Sequence, residues 1–223
     1  MELAQASLDR LGIRPSWQVV RPALGYPMTN QTLDAAMERY AQGDDAAFRE
    51  VYGGLDQRLR AFLRRLCGAA PLADDLLQET FLRVHRARGS FSHGAAVIPW
   101  AYAIARNSWL DHLRAAKTRG RLAVVAGADE REEREVPTGP DADSEQAVIA
   151  HQTAEIVQRV LAALPAAQRE AFVLLRYEGL TVHEAAEIVG ATPTAVKLRA
   201  FRAYEALREA LGVRTSPGAQ HEA

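Results

Sequence analysis

Residues 181–211, TVHEAAEIVGATPTAVKLRAFRAYEALREAL, constrain the fold more tightly than any other stretch of this chain. Thr181 stands where a helix needs an N-cap, and Glu184 follows three residues later. That spacing forms a capping box, in which the two side chains each satisfy a backbone N–H of the other residue. Ala185, Ile188 and Val189 give the helix one buried face, and Gly190 can end it because glycine takes the left-handed conformation cheaply. Thr192 then caps a second helix with Pro193 at its first position, where a missing N–H costs nothing. Along that helix Val196, Ala200, Ala203, Leu207 and Leu211 recur at spacings of three and four, making one apolar stripe. Thr194, Lys197, Leu198, Phe201, Arg202 and Glu205 fall largely elsewhere. A helix-turn-helix needs this arrangement, since its second helix packs on one side and offers side chains to the major groove on the other. Lys197 and Arg202 suit phosphates or guanine edges, and Phe201 suits a thymine methyl. An ordinary helical hairpin with a solvated basic face has the same local pattern, so the choice depends on the rest of the chain.

The 223 residues allow one large domain or two small ones, and a hydrophobic content of 48% supports a real core. Aromatics make up only 7%, while alanine, leucine and arginine dominate, which favours an all-helical protein. The net charge of −1 excludes a generally basic nucleic-acid binder, but the charge is uneven. Residues 100–121 hold five basic side chains against Asp111, whereas in residues 127–145 acids outnumber bases eight to two. Local patches of this kind decide where a polyanion can dock. Cys67 is the only cysteine, which rules out an internal disulfide, and its place on an apolar helical pattern marks a core thiol. No apolar run approaches the roughly 20 residues that span a bilayer, and the start of the chain, with Glu2 and Asp9, does not read as a signal peptide. A cytoplasmic protein without membrane insertion is expected.

Residues 1–30 contain Pro15, Pro22 and Pro27 and hold no helical period for long, so a mobile extension is expected. A short helix over 32–42 stops at Gly43, and Asp44 caps the next. Phe48, Val51, Tyr52, Leu55, Leu59, Phe62, Leu63 and Leu66 carry that helix to Cys67, with a break expected at Gly53-Gly54. Arg58, Arg60, Arg64 and Arg65 lie off the stripe as a solvated face. Pro71 opens PLADDLLQETFLRVHRAR, whose inner face is Ala73, Leu76, Leu77, Thr80, Phe81 and Val84. Asp74, Asp75, Gln78, Glu79, Arg83 and Arg86 are left outside, as a protein-docking face or a plain solvated one. After the loop GSFSHGAA, a long helix over 97–117 places Trp100, Ile104 and Leu113 on a buried side. Tyr102, Arg106, Asn107, His112, Arg114 and Lys117 lie on the polar side. Aromatics interleaved with cations beside a flexible loop suit single-stranded nucleic acid, which needs stacking planes and phosphate neutralisation. Trp100 and Trp109 also fit plain core positions. Residues 118–140 lose all period, and their acidic, proline- and glycine-containing run reads as a linker. Beyond it Ile149, Ile156, Val157, Val160, Leu161 and Leu164 define one helix. Pro165 begins another, with Phe172, Val173, Leu175 and Tyr177 as core candidates, ending at Gly179. The tail after Gly212 is expected to fray.

No nucleophile–base pair, glycine-rich phosphate loop or metal motif is present, and two neighbouring carboxylates such as Asp75 and Glu79 make no metal site without further ligands. A protein that is not an enzyme and holds neither metal nor cofactor is expected.

DDLLQETFLRVHRAR, PWAYAIARNSWLDHLR, an acidic linker and LAALPAAQREAFVLLRYEGLTVHEAAEIVGATPTAVKLRAFRAYEALRE together resemble a bacterial RNA polymerase sigma factor. The short, extracytoplasmic-function (ECF) form fits best, and the resemblance runs from about Asp34 to Leu211. It implies an all-α protein of two small helical domains joined by a flexible acidic linker, the second a four-helix domain carrying the helix-turn-helix. In those terms 1–30 is an extension, 31–117 is domain 2, 118–142 the linker, 143–212 domain 4 and 213–223 a disordered tail. The resemblance further implies that Asp75, Leu76, Gln78, Glu79 and Arg83 dock on the clamp of the polymerase β′ subunit, with the β flap as a second contact. Capture of the non-template strand of the −10 element falls to Phe91, Ser92, His93, Trp100, Tyr102, Arg106, Asn107 and Arg114. Reading of the duplex −35 element falls to Thr181, Thr192, Thr194, Lys197, Leu198, Arg199, Phe201 and Arg202. An anti-sigma protein, often membrane-bound, is an implied partner. Three other readings stand beside this one: a polymerase-independent helix-turn-helix repressor or activator, a nuclease with metal at Asp74, Asp75 and Glu79, and a helical scaffold. Polymerase association, metal-dependent cleavage and charge reversal at Lys197 and Arg202 separate them.

Overall fold

The structure is a computed structural model and describes residues 30–118, 120 and 144–212. The expected N-terminal extension, the acidic linker and the frayed tail therefore lie outside the described residues. All regular structure among the described residues is helical. The first group comprises α1 (Asn30–Ala41), a 3-10 turn (Asp45–Ala47), α2 (Phe48–Cys67), α3 (Ala70–Ala87) and α4 (Val97–Thr118). The second comprises α5 (Ser144–Ala163), α6 (Ala166–Arg176), α7 (Val182–Val189) and α8 (Pro193–Ala210). Each group is a helical domain, the second with four helices.

Local signals set the helix ends. The Asp44 side chain accepts from the Ala46 N–H, and α2 ends on Gly68 in the left-handed conformation at φ 74°. The break expected at Gly53-Gly54 is absent, and α2 runs through both glycines. A Cβ at position 54 would sit 2.5 Å from Leu33 Cδ1, so Gly54 serves the close approach of α1 to α2 rather than a turn. The α3 stripe is as expected: Ala73, Leu76, Leu77, Thr80, Phe81 and Val84 are all buried. On α4 the buried side differs from the expected one and consists mainly of Val97, Ile98, Ala101, Tyr102, Ala105, Ser108 and Trp109. Trp100, Ile104 and Leu113 are only half-buried.

Two apolar clusters hold the helices together. The smaller unites Val157, Leu161, Phe172, Ala203 and Leu207 of the second domain. The larger begins in the first domain, around Leu59, Phe62, Leu63 and Trp109, and continues without a gap into Val173, Leu174, Leu180, Ala185 and Ile188 of the second. The domains are thus packed against each other, with α7 lying on α4 and α6 on α2.

Cys67 closes α2 in this shared core, and burial pushes its thiol up to about 12. The native chain is expected to resist thiol reagents at pH 8 and to react fully once unfolded in urea, because only the thiolate attacks. A wild-type protein that labelled equally fast in both states would contradict the packing at Cys67. The native thiol holds its proton more tightly than the unfolded one. Its contribution to stability is therefore intact below pH 9.0 and falls as the pH climbs toward 12.

Candidate nucleic-acid interface

The helix-turn-helix is built as its sequence requires. Thr181 Oγ1 accepts from the Glu184 N–H at 3.2 Å, and Glu184 Oε2 accepts from the Thr181 N–H at 2.7 Å, completing the capping box. Gly190 turns the chain at φ 65°, and Thr192 Oγ1 accepts from the Ala195 N–H at 3.2 Å. These bonds satisfy orphan donors at the starts of α7 and α8 and fix the angle between them. Val196, Ala200, Ala203 and Leu207 face inward.

The opposite face of α8 carries Thr194, Lys197, Leu198, Phe201 and Arg202, all exposed, with Arg199 half-buried at its flank. A helix with its side chains is about 10–12 Å in diameter, which fits the roughly 12 Å width of the major groove. Among the described residues neither Lys197 nor Arg202 has an ion pair, so both charges are available to a polyanion. Leu198 and Phe201 are 48% and 45% exposed, an apolar pair between two cations. Apolar side chains so placed have the chemistry to contact thymine methyls, and the cations that to pair with phosphates or guanine.

The outer face of α3 exposes Asp75 and Gln78. Leu76, expected on this face, is buried at 6% exposure because it belongs to the inward stripe with Ala73 and Leu77. Glu79 accepts from Arg83 Nε at 2.8 Å, and Arg83 Nη1 reaches Asp111 Oδ2 on α4 at 2.8 Å. Asp111 also accepts from Arg114 at 2.5 Å. The carboxylates of Glu79 and Asp111 hold the Arg83 guanidinium above its ordinary pKa. This chain of pairs braces α3 against α4. Two members of the surface escaped the sequence reading, Leu82 at 51% and Tyr52 at 41% exposure. Tyr52 packs on Phe81 with ring centroids 4.5 Å apart. The available signal was Leu82 itself, an apolar residue between the inward positions of the α3 stripe.

The 91–96 loop is held by α1. Gly94 N–H donates to Glu38 Oε1 at 2.7 Å, and Val97 N–H donates to Asp34 Oδ1 at 2.8 Å, so a carboxylate from another helix caps α4. Phe91 is buried at 8% exposure with its ring edge-on to Trp100, centroids 5.2 Å apart. Ser92, His93 and Asn107 are exposed, His93 lying 3.0 Å from Glu38. Tyr102 and Arg106 depart from the expectation of free polar groups. Tyr102 is 2% exposed, edge-on to Phe62 at 4.9 Å, and its hydroxyl donates to Glu178 Oε2 at 2.5 Å. Arg106 donates twice to Glu170, Nε to Oε2 at 2.7 Å and Nη2 to Oε1 at 3.2 Å. Both acceptors belong to the second domain. Arg65, expected in solvent, likewise pairs with Glu178 at 3.1 Å and stacks its guanidinium 4.4 Å from the Tyr177 ring centre.

Among the described residues no group of three or more His, Cys, Asp or Glu is placed to hold a metal, and no helix is long and apolar enough to cross a membrane.

A helix-turn-helix on a four-helix domain, packed beside a second all-helical domain, is the architecture of a DNA-binding protein. Comparison with known proteins gives that class its family. Sigma-70 region 2 matches residues 52–119 and Sigma-70 region 4 matches residues 154–207. The chain is 35% identical over 176 residues to the RNA polymerase sigma factor CarQ of Myxococcus xanthus, covering 79% of this chain and 95% of that protein. It is also 35% identical over 182 residues to the ECF RNA polymerase sigma factor SigF of Caulobacter vibrioides, covering 81% and 94%. Among solved structures it is similar to the sigma factor RpoE of Bartonella quintana in complex with the anti-sigma factor NepR. The TM-score is 0.58 at 25% identity, covering 75% of this chain and 98% of that one. CnrH in complex with the cytosolic domain of CnrY shares the fold at a TM-score of 0.56 and 23% identity, covering 83% and 99%. The chain belongs to the ECF sigma factors, the subunits that bind core RNA polymerase and direct promoter-specific transcription initiation.

Proposed function

We propose that the three surfaces divide the work of initiation. The outer face of α3, with Asp75, Gln78, Leu82 and the Glu79–Arg83 pair, docks on the β′ clamp of the polymerase, and the second domain meets the β flap. The loop 91–96 and α4 take the non-template strand of the −10 element, with Trp100 as a stacking plane and Arg106, Asn107 and Arg114 as polar contacts. The exposed face of α8 reads the −35 duplex. Residues 31–117 and 143–212 are the two functional domains, joined by 118–142. The protein works in the cytoplasm beside the polymerase, performs no chemistry of its own, and is held in check by an anti-sigma protein, as the Bartonella quintana neighbour is bound to one.

The observation that carries this reading is the α8 face, two uncommitted cations flanking two exposed apolar side chains. With a net charge of −1 and few phosphate contacts, the free protein has little affinity for DNA. Docking on polymerase fixes both domains and raises the effective concentration of each at its element. Footprinting a promoter at moderate salt is expected to show no sequence-specific protection by the free protein and clear protection once core polymerase is added. A nanomolar specific footprint from the free protein alone would favour the polymerase-independent repressor or activator.

A further inference from the structure

Residues 91–96, FSHGAA, supply little that could fix their own shape. The Ala95 N–H donates to the Ser92 carbonyl at 3.1 Å, which closes a turn at the tip, and Gly94 sits there in the left-handed region at φ 77°. Phe91 anchors one end of the loop against Trp100. At the other end Ala96 occupies the position from which a side chain would cap α4, and a methyl group accepts no hydrogen bond.

The missing acceptors come from α1. Asp34 and Glu38 are four residues apart and so share one face of that helix. Asp34 Oδ1 accepts from the Val97 N–H at 2.8 Å. Glu38 Oε1 accepts from the Gly94 N–H at 2.7 Å and lies 3.0 Å from His93 Nδ1. Hydrogen bonds to an ionised carboxylate are roughly twice as strong as neutral ones. Their support is firm, because Leu33, Ala36, Met37 and Tyr40 seat the opposite side of α1 in the core. By charge alone, two acids beside a surface that takes a polyanion oppose binding. Their useful contribution there is as acceptors. A loop already ordered lowers the cost of capturing a flexible strand.

Resting on the assignment of loop 91–96 to the −10 strand, we propose that Asp34 and Glu38 are positioning residues for strand capture. They act through the backbone amides of Gly94 and Val97 rather than on DNA. Held in this way, the exposed Ser92 and His93 and the half-buried Trp100 meet the strand in a single arrangement.

Four chains are compared as holoenzyme with core polymerase: wild type, Glu38→Ala, Asp34→Ala/Glu38→Ala and Asp34→Asn/Glu38→Gln. The last deletes both charges and keeps both acceptors, whereas the double alanine variant deletes charges and acceptors together. The probe is a fork-junction DNA from the promoter upstream of the protein's own gene, with the −35 element as duplex and the −10 non-template strand single-stranded. The same duplex without the single strand is the reference. Amide hydrogen exchange across 91–97 is read on the free chains.

The double alanine variant is expected to lose about tenfold in affinity for the fork relative to the reference and to exchange the 94 and 97 amides about tenfold faster, as loss of charge-assisted bonds requires. Glu38→Ala falls between it and wild type. The Asn/Gln variant binds at least as tightly as wild type, since the acceptors stay and the repulsion goes. Glu38 holds only the loop, so Glu38→Ala keeps wild-type circular dichroism and core co-elution and decides the matter even if the double alanine variant misfolds. Wild-type exchange and fork affinity in Glu38→Ala would overturn the proposal, as would an Asn/Gln variant that falls as far as the double alanine one. A wild-type holoenzyme that binds the fork no better than the reference would count against the strand assignment itself. The exchange rates, which need neither DNA nor polymerase, tell that failure from a loop that the two carboxylates do not hold.

Discussion

Lys197→Ala/Arg202→Ala is expected to abolish detectable transcription from a −35-dependent promoter while leaving core polymerase binding unchanged. Both side chains lie on the exposed face of α8 and neither supports the fold, since the packing of that helix rests on Val196, Ala200, Ala203 and Leu207. A good contact to a base edge contributes about 1–3 kcal/mol. Two of them amount to roughly thirtyfold to twenty-thousandfold in promoter affinity at about 1.4 kcal/mol per decade. Run-off transcription and co-elution with core, measured side by side, check this. A normal transcript from the double variant would remove α8 from promoter recognition, and loss of core binding would show that the helix serves polymerase instead.

Phe62→Ala is expected to cost about 3–5 kcal/mol of stability. Its side chain is fully buried on α2 and meets Tyr102 edge-on from α4, at the point where the shared core begins. Removing the ring leaves a cavity between two long helices that cannot both close on it. Against a typical total of about 5–15 kcal/mol, the loss approaches unfolding at physiological temperature. Urea denaturation checks it, and a midpoint equal to that of wild type would show that α2 and α4 do not pack as described.

The parts legible in the sequence are those fixed by short-range chemistry. The capping box Thr181/Glu184, the stop at Gly190 and the Thr192-Pro193 start need only a few neighbouring residues, and each forms as expected. The α3 stripe follows from one period and one core. Position 54 misled because a glycine that breaks a helix and one that admits a neighbouring helix look alike until Leu33 is placed against it. Tyr102 and Arg106 misled for a related reason. A tyrosine and an arginine on a polar-looking helix face remain solvent groups unless partners arrive, and Glu178 and Glu170 are 76 and 64 residues away. The capping of α4 by Asp34 is likewise long-range, 63 residues apart. Leu76 was placed on a docking face by family pattern, where its own periodicity already put it inside.

The central claim is that this chain programs core polymerase by docking through the outer face of α3 and presenting two DNA-binding surfaces. It is tested most directly by transcription from the promoter upstream of its own gene, using core polymerase with no protein, with wild type, and with a Gln78→Ala/Glu79→Ala variant. A defined transcript with wild type alone, and loss of core co-elution in the variant, is the predicted result. No transcript and no core binding by wild type would contradict the claim outright.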